Sequence, residues 1–192
     1  MSSELSTYIR QCVSLSDKEL EEIILFFELV KIPKKTRLLQ AGEVCKFEAF
    51  ILKGCIKTFF INQEGHEVIL TFATENWWIS DLASFNDQKP SKMYIETLEE
   101  CELLQINHQK KQELLEKFPA LEKMFRLLVQ RHLSASQERL FSTIAKTADE
   151  RYDDFLQRFP ALPMRIPQHL IAAYLGISPE FLSRLRKRKL KK

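Results

Sequence analysis

Residues 167–187 read PQHLIAAYLGISPEFLSRLRK, two short helical stretches broken at Gly176. Pro167 suits a first helical position, where its missing N–H costs nothing. Gly176 stands where the chain must turn through positive φ. Ser178 is placed to cap a second helix, with Pro179 in its first turn. Ile171, Leu175, Ile177, Leu182 and Leu185 fall where two crossing helices bury apolar groups against each other, and Ala172 is small enough to let them approach. This is the register of a helix-turn-helix.

The other face of the second helix carries the chemistry. At about 100° per residue, Phe181, Leu182 and Leu185 cluster on one side, and Glu180, Ser183, Arg184 and Lys187 on the other. Arg forks onto guanine in a major groove, Glu accepts from cytosine N4, and Ser and Lys hold phosphate. Gln168, Ser178 and Arg188 complete the set of candidate DNA contacts. Charge distribution agrees with this reading. Residues 165–192 hold eight basic side chains and one acidic, +7, so the rest of a chain of net charge +3 is at −4. A cationic end on an acidic protein is the footprint of a module that neutralises phosphates and releases counterions. The tail through Lys191 and Lys192 is expected to add sequence-independent backbone contacts.

The remaining composition narrows the alternatives. The chain has 192 residues, 45% hydrophobic and 29% charged, which is a globular composition with room for a core. It has no apolar run near the roughly 20 residues needed to span a bilayer and no export signal, so a cytoplasmic protein with no membrane partner is expected. Cys12, Cys45, Cys55 and Cys101 lack C-x-x-C spacing and nearby histidines, so no metal site and no cofactor is expected. His66, His108, His132 and His169 are too scattered for the His-x-His of a cupin-like metalloenzyme. No Ser-His-Asp or paired-carboxylate arrangement assembles either, and the chain is not expected to be an enzyme.

Ahead of the motif, the hydrophobic period changes twice. Ser16 and Glu19 form a capping box before Leu20, Ile23, Ile24 and Phe27, predicting a helix to about Val30. Short runs rich in Ile, Val, Phe and Thr follow at 36–40, 48–52, 56–61, 68–73, 94–97 and 103–106, with turns at Gly42, Gly54 and Asn62-Gln63-Glu64-Gly65. Strands this close together imply an antiparallel β-roll or jelly roll. Residues 110–117 form a short helix, and 120–147, without Gly or Pro, a helix of about 40 Å. A helix of that length exceeds what a small roll covers, so it is expected to pair with a second copy, with Leu121, Phe125, Leu128 and Leu133 as seam candidates. Residues 148–160 form another helix, and 159–163 a stiff connection. The expected class is α+β. The parts are a β-roll sensor at 1–118, a dimerisation helix at 119–147 and a helix-turn-helix domain at 148–192.

Roll, long helix and helix-turn-helix, in that order, resemble the cyclic AMP receptor protein and fumarate–nitrate reduction regulator family (Crp/Fnr) over nearly the whole chain. The resemblance rests on Leu52-Lys53-Gly54-Cys55-Ile56-Lys57, on residues 78–85 in the place of the phosphate-binding cassette, and on the helix-turn-helix, where Glu180 and Arg184 match base-reading residues. Pro179 stands where many members carry a basic residue. The resemblance implies a transcription regulator that binds an inverted repeat in double-stranded DNA as a homodimer. RNA polymerase and a small-molecule effector are its further implied partners. The effector-pocket candidates are Trp78, Ser80, Asp81, Phe85, Ser91, Lys92, Ser136 and Gln137. The family's Gly-Glu pair is here Ser80-Asp81, and its Arg-Ser pair falls at Pro90-Ser91 or Ser91-Lys92 with no Arg nearby. Cyclic AMP is therefore not the expected effector. A ligand-sensing roll acting through protein partners is the alternative reading.

Overall fold

The computed structural model describes residues 3–189. Helix α1 (Ser3–Cys12) and helix α2 (Asp17–Ile24) precede eight strands. These are β1 (Glu28–Ile32), β2 (Arg37–Leu39), β3 (Glu48–Lys53), β4 (Ile56–Ile61), β5 (Glu67–Ala73), β6 (Trp78–Ile79), then, after helix α3 (Leu82–Asp87), β7 (Tyr94–Thr97) and β8 (Cys101–Ile106). Helices α4 (His108–Lys117), α5 (Leu121–Ala145), α6 (Ala148–Arg158), α7 (Leu162–Arg165), α8 (Gln168–Leu175) and α9 (Pro179–Lys189) follow among the described residues. The expected α+β class, with an antiparallel roll, long helix and terminal helix pair, is the observed one.

The strands form two four-stranded sheets, ordered β1-β8-β3-β6 and β2-β7-β4-β5. The period of two sends alternate residues of the first sheet to different cores. Ala49, Ile51, Ile79, Cys101 and Leu103 enter one apolar cluster with Leu39, Ile56, Phe85 and Ile95. Phe50, Trp78, Leu104 and Ile106 enter another with Leu5, Ile9, Leu20, Ile23, Leu114 and Phe125. Each large side chain so buried contributes about 1.5–3 kcal/mol, and β3 is consequently apolar on both faces. Gly54 joins β3 to β4 at φ 107°, where a Cβ would lie 2.5 Å from Cys101 Sγ, so the turn admits only glycine.

Several expected boundaries shift. The capping box at Ser16 and Glu19 is present, but α2 ends at Ile24. The residues expected to continue it become β1, paired antiparallel with β8 from Glu28↔Gln105 to Ile32↔Cys101. Sheet pairing outweighs the helical spacing of Phe27 and Val30. The stiff connection expected at 159–163 runs into the short helix α7, with Pro163 in its first turn. Pro167 is the extended N-cap of α8 rather than its first helical residue.

Contacts divide the chain into two compact units. One comprises residues up to Phe60 with Thr71–Gln130; the other comprises Ile61–Leu70 with the residues from Arg131 onward. Helix α5 has 25 residues, about 37 Å at 1.5 Å per residue. Its seam candidates Leu121, Phe125 and Leu128 are buried in the core of the first unit. They are corrected from partner-facing to core residues, because they meet the helices and sheet of their own unit. Leu133 stays 58% exposed, as do Val129, Leu140, Phe141 and Ile144 to similar degrees. In the second unit, Lys146 Nζ lies 2.8 Å from Asp154, holding that carboxyl below the usual range and tying α6 to the end of α5. Phe155 stacks on Tyr152 and meets Phe159 and Tyr174 of α8 at a tilt, and Phe159 meets Tyr174 edge-on.

Candidate nucleic-acid interface

Helix α8 ends at Gly176 in the left-handed conformation, φ 67°, and the Ile177 N–H returns 3.1 Å to the Ala172 carbonyl. That closure satisfies carbonyls the helix would otherwise orphan and turns the chain in one residue. Ser178 Oγ then accepts from the Phe181 N–H at 3.1 Å, capping α9, and Pro179 opens the helix where no donor is needed. Ile171, Ala172 and Leu175 of α8 and Leu182 and Leu185 of α9 are buried at the crossing.

Glu180, Ser183, Arg184 and Lys187 are all exposed on the opposite face of α9. Its own backbone N–H and then the Ser178 hydroxyl hold the Glu180 carboxyl below its usual range, with Arg184 adding to the effect, so the side chain is an ionised acceptor. Gln168 is half-buried in the first turn of α8. Arg188 is exposed but bonded to Asp149 of α6, and Lys189 is bonded to Asp153. Two of the basic groups at the end of α9 thus already have acidic partners, a pairing that spacing within α9 alone does not reveal. Lys191 and Lys192, expected to supply backbone contacts, lie outside the described residues.

One placement departs from the sequence reading. Phe181, grouped with Leu182 and Leu185 on the apolar side, is 37% exposed, against 1% for each of those leucines. Its azimuth falls just outside the leucine stripe, toward Arg184, whose guanidinium carbon is 5.8 Å from the Phe181 ring centroid. The helical angle alone carried that signal.

The cassette is closed by its own side chains. Asp81 caps α3, its Oδ1 accepting from the Ser84 N–H at 3.2 Å and its Oδ2 from Ser91 Oγ at 2.7 Å. Ser84 Oγ donates to the Lys89 carbonyl at 2.6 Å and accepts from the Cys45 N–H at 2.9 Å. Asp81, Ser84 and Ser91 are buried. The start of α3 therefore already faces a carboxylate, and a phosphate placed there would meet a like charge. Ser80 donates to the Phe47 carbonyl, and Lys92 is exposed. Phe85 is fully buried in the inter-sheet core. Trp78 is corrected as a pocket residue: it points to the other face of its sheet, among Tyr8, Phe27, Phe50 and Phe125. Ser136 and Gln137 are exposed on α5, and Ser136 Oγ bonds the His132 carbonyl one turn back.

Cys12, Cys45, Cys55 and Cys101 are free and buried, and burial pushes the Cys101 thiol up to about 11. Among the described residues no three His, Cys, Asp or Glu gather as a metal site, and no helix is long and apolar enough to cross a membrane.

Comparison with known proteins agrees with this architecture. Residues 29–118 match the cyclic nucleotide-binding domain family. The chain is 22% identical over 184 residues to the cAMP-activated global transcriptional regulator CRP of Escherichia coli O6:H1, covering 90% of this chain and 87% of the relative. It is 26% identical over 184 residues to the fumarate and nitrate reduction regulatory protein of Vibrio cholerae, covering 90% and 73%. Its fold matches the c-di-GMP responsive global regulator CLP of Xanthomonas campestris with a TM-score of 0.73 at 14% identity, covering 92% of each chain. A roll matching the cyclic nucleotide-binding domain, followed by a long helix and a helix-turn-helix, makes the chain similar along most of its length to transcription regulators of the Crp/Fnr type.

Proposed function

We propose that this regulator binds DNA in a sequence-specific way, as a homodimer on an inverted repeat. The observation that carries the reading is the division of α9 into a buried face, Leu182 and Leu185, and an exposed face of Glu180, Ser183, Arg184 and Lys187. Those exposed side chains are the donors and acceptors that distinguish base pairs in a major groove. The dimer is supported by α5. Val129, Leu133, Leu140 and Ile144 are exposed and fall within about 60° of helix azimuth, a stripe with nothing of its own chain to cover it among the described residues. Water-exposed apolar rows of this length mark association surfaces.

The signal is a separate matter. A cyclic phosphate needs helix N–H groups and a fixed cation. Here Asp81 takes the N–H, Ser91 takes Asp81, and Lys89 and Lys92 are exposed. The regulator is therefore proposed to work without a cyclic mononucleotide, and any effector in the roll would be less polar.

Selection from a random duplex library with the full chain tests the reading. It should enrich an inverted repeat with half-sites about 34 Å apart, one helical turn. Failure to enrich any duplex over the starting pool would overturn it.

A further inference from the structure

We infer that Phe181 reads the methyl group of a thymine lying within two base pairs of the pair read by Arg184. The inference rests on the DNA-binding reading above and names one base of its target. On α9 the buried leucines form a seam 1% exposed, yet Phe181 presents more than a third of its surface to solvent. An apolar ring left in water between the leucine stripe and the face of Glu180, Ser183, Arg184 and Lys187, on the Arg184 side, is unfavourable.

Its position is fixed rather than loose. The Phe181 N–H is held by the Ser178 cap at 3.1 Å, and the Arg184 guanidinium carbon sits 5.8 Å from the ring centroid. The cap fixes the Phe181 backbone in the first turn, the part of a recognition helix that reaches base edges, and the second contact sets the ring beside Arg184.

The major groove offers one apolar group, the thymine C5-methyl, and an aromatic ring is a suitable partner for it. Phe181 and Arg184 are three residues apart, about 4.5 Å along the helix axis. Successive bases are about 3.4 Å apart along a strand, so the two side chains address neighbouring or next-neighbouring pairs. The surrounding positive charge of Arg184 and Lys187 matches the phosphates on either side. Withdrawing one methyl from water is worth about 0.8 kcal/mol, equivalent to about fourfold in affinity.

The test uses the selected operator with each thymine replaced singly by deoxyuridine, which removes the methyl and nothing else. Binding of the full chain is followed by fluorescence anisotropy. Wild type should lose about fourfold at one thymine per half-site, close to the guanine whose substitution Arg184→Ala tolerates. Phe181→Ala should bind more weakly but no longer distinguish thymine from uracil there, and Phe181→Leu should keep part of the discrimination. An operator on which wild type treats every uracil as thymine would overturn the inference while leaving DNA binding intact. So would a Phe181→Ala variant with undiminished discrimination. Selection of no operator at all would overturn the DNA reading itself, and this inference with it.

Discussion

The guanidinium carbon of Arg139 lies 3.6 Å from the ring centroid of Tyr174, and the same group donates to the Tyr174 carbonyl. Its second donor contact, 3.2 Å to the Ile69 carbonyl, brings the β5 strand into the same clasp. One side chain of α5 thus fastens both the hairpin strand and the first helix of the helix-turn-helix within the second unit. Burial pushes its pKa down, while Tyr174 opposes that shift. Arginine suits the task because its Nη2 donates to both carbonyls while the planar guanidinium lies over a ring.

Arg139→Ala should leave those carbonyls short of a donor and cost about 1–3 kcal/mol. Arg139→Lys should recover only part, since it keeps charge without the planar group that lies over Tyr174. Urea unfolding followed by tyrosine fluorescence measures this. Equal stability of all three proteins would show that the clasp contributes nothing.

A second buried charge lies in the first unit. Glu48 is 2% exposed and has Lys111 Nζ at 2.7 Å, a cation that also sits 4.3 Å from the centroid of the Phe125 ring. Burial pushes the Glu48 carboxyl up, with Lys111 and then His108 pulling it back. Lys111→Met would strand the carboxylate and cost about 3–5 kcal/mol near neutral pH. The sign of the pH effect follows from the raised folded pKa. The native state keeps a proton that the unfolded chain has released, so the contribution is complete below the unfolded pKa and is lost as pH rises through the folded one. The variant's deficit should therefore shrink between pH 7.5 and pH 5 in urea titrations. A deficit that does not change with pH would contradict the assignment.

The closed cassette makes a binding prediction. Cyclic AMP and cyclic GMP should bind more weakly than about 10 μM, roughly −7 kcal/mol, by calorimetric titration. The reason is the Asp81 carboxylate at the start of α3, held by Ser91 at 2.7 Å. A tighter constant for either nucleotide would show that this side chain yields its place.

Local chemistry was legible from the sequence; long-range pairing was not. The Ser16–Glu19 box, the Gly54 turn and the left-handed Gly176 each depend on residues within one turn of chain, and each stands where it was expected. The strand Glu28–Ile32 depends on a partner at Cys101–Ile106, and the helical spacing before it concealed that. The side of the sheet taken by Trp78 was equally hidden, because β3 and its neighbours are apolar on both faces and alternation gives no contrast. On α5, Leu128 and Leu133 are both apolar, and only the packing of the roll separates core from exposed stripe. At the interface, Asp149 and Asp153 were missed as partners of Arg188 and Lys189 because they lie on another helix.

Base reading by α9 predicts an asymmetry between two arginines. Arg184→Ala should relax preference at one base pair of each half-site and cost about 1–3 kcal/mol. Arg188, engaged by Asp149, should affect affinity on all sequences alike when changed to Ala. Repeating the duplex selection with each variant separates the two. An unchanged motif at unchanged affinity for Arg184→Ala would remove it from the reading face.

The most direct measurement of the central claim is the stoichiometry of the chain on its selected operator by analytical ultracentrifugation. Two chains should occupy one inverted repeat. The variant Leu133→Glu/Leu140→Glu, altered only on the exposed stripe of α5, should sediment as a folded monomer and lose operator binding. A single wild-type chain per duplex, or a monomeric variant that binds the full repeat as tightly as wild type, would contradict the account.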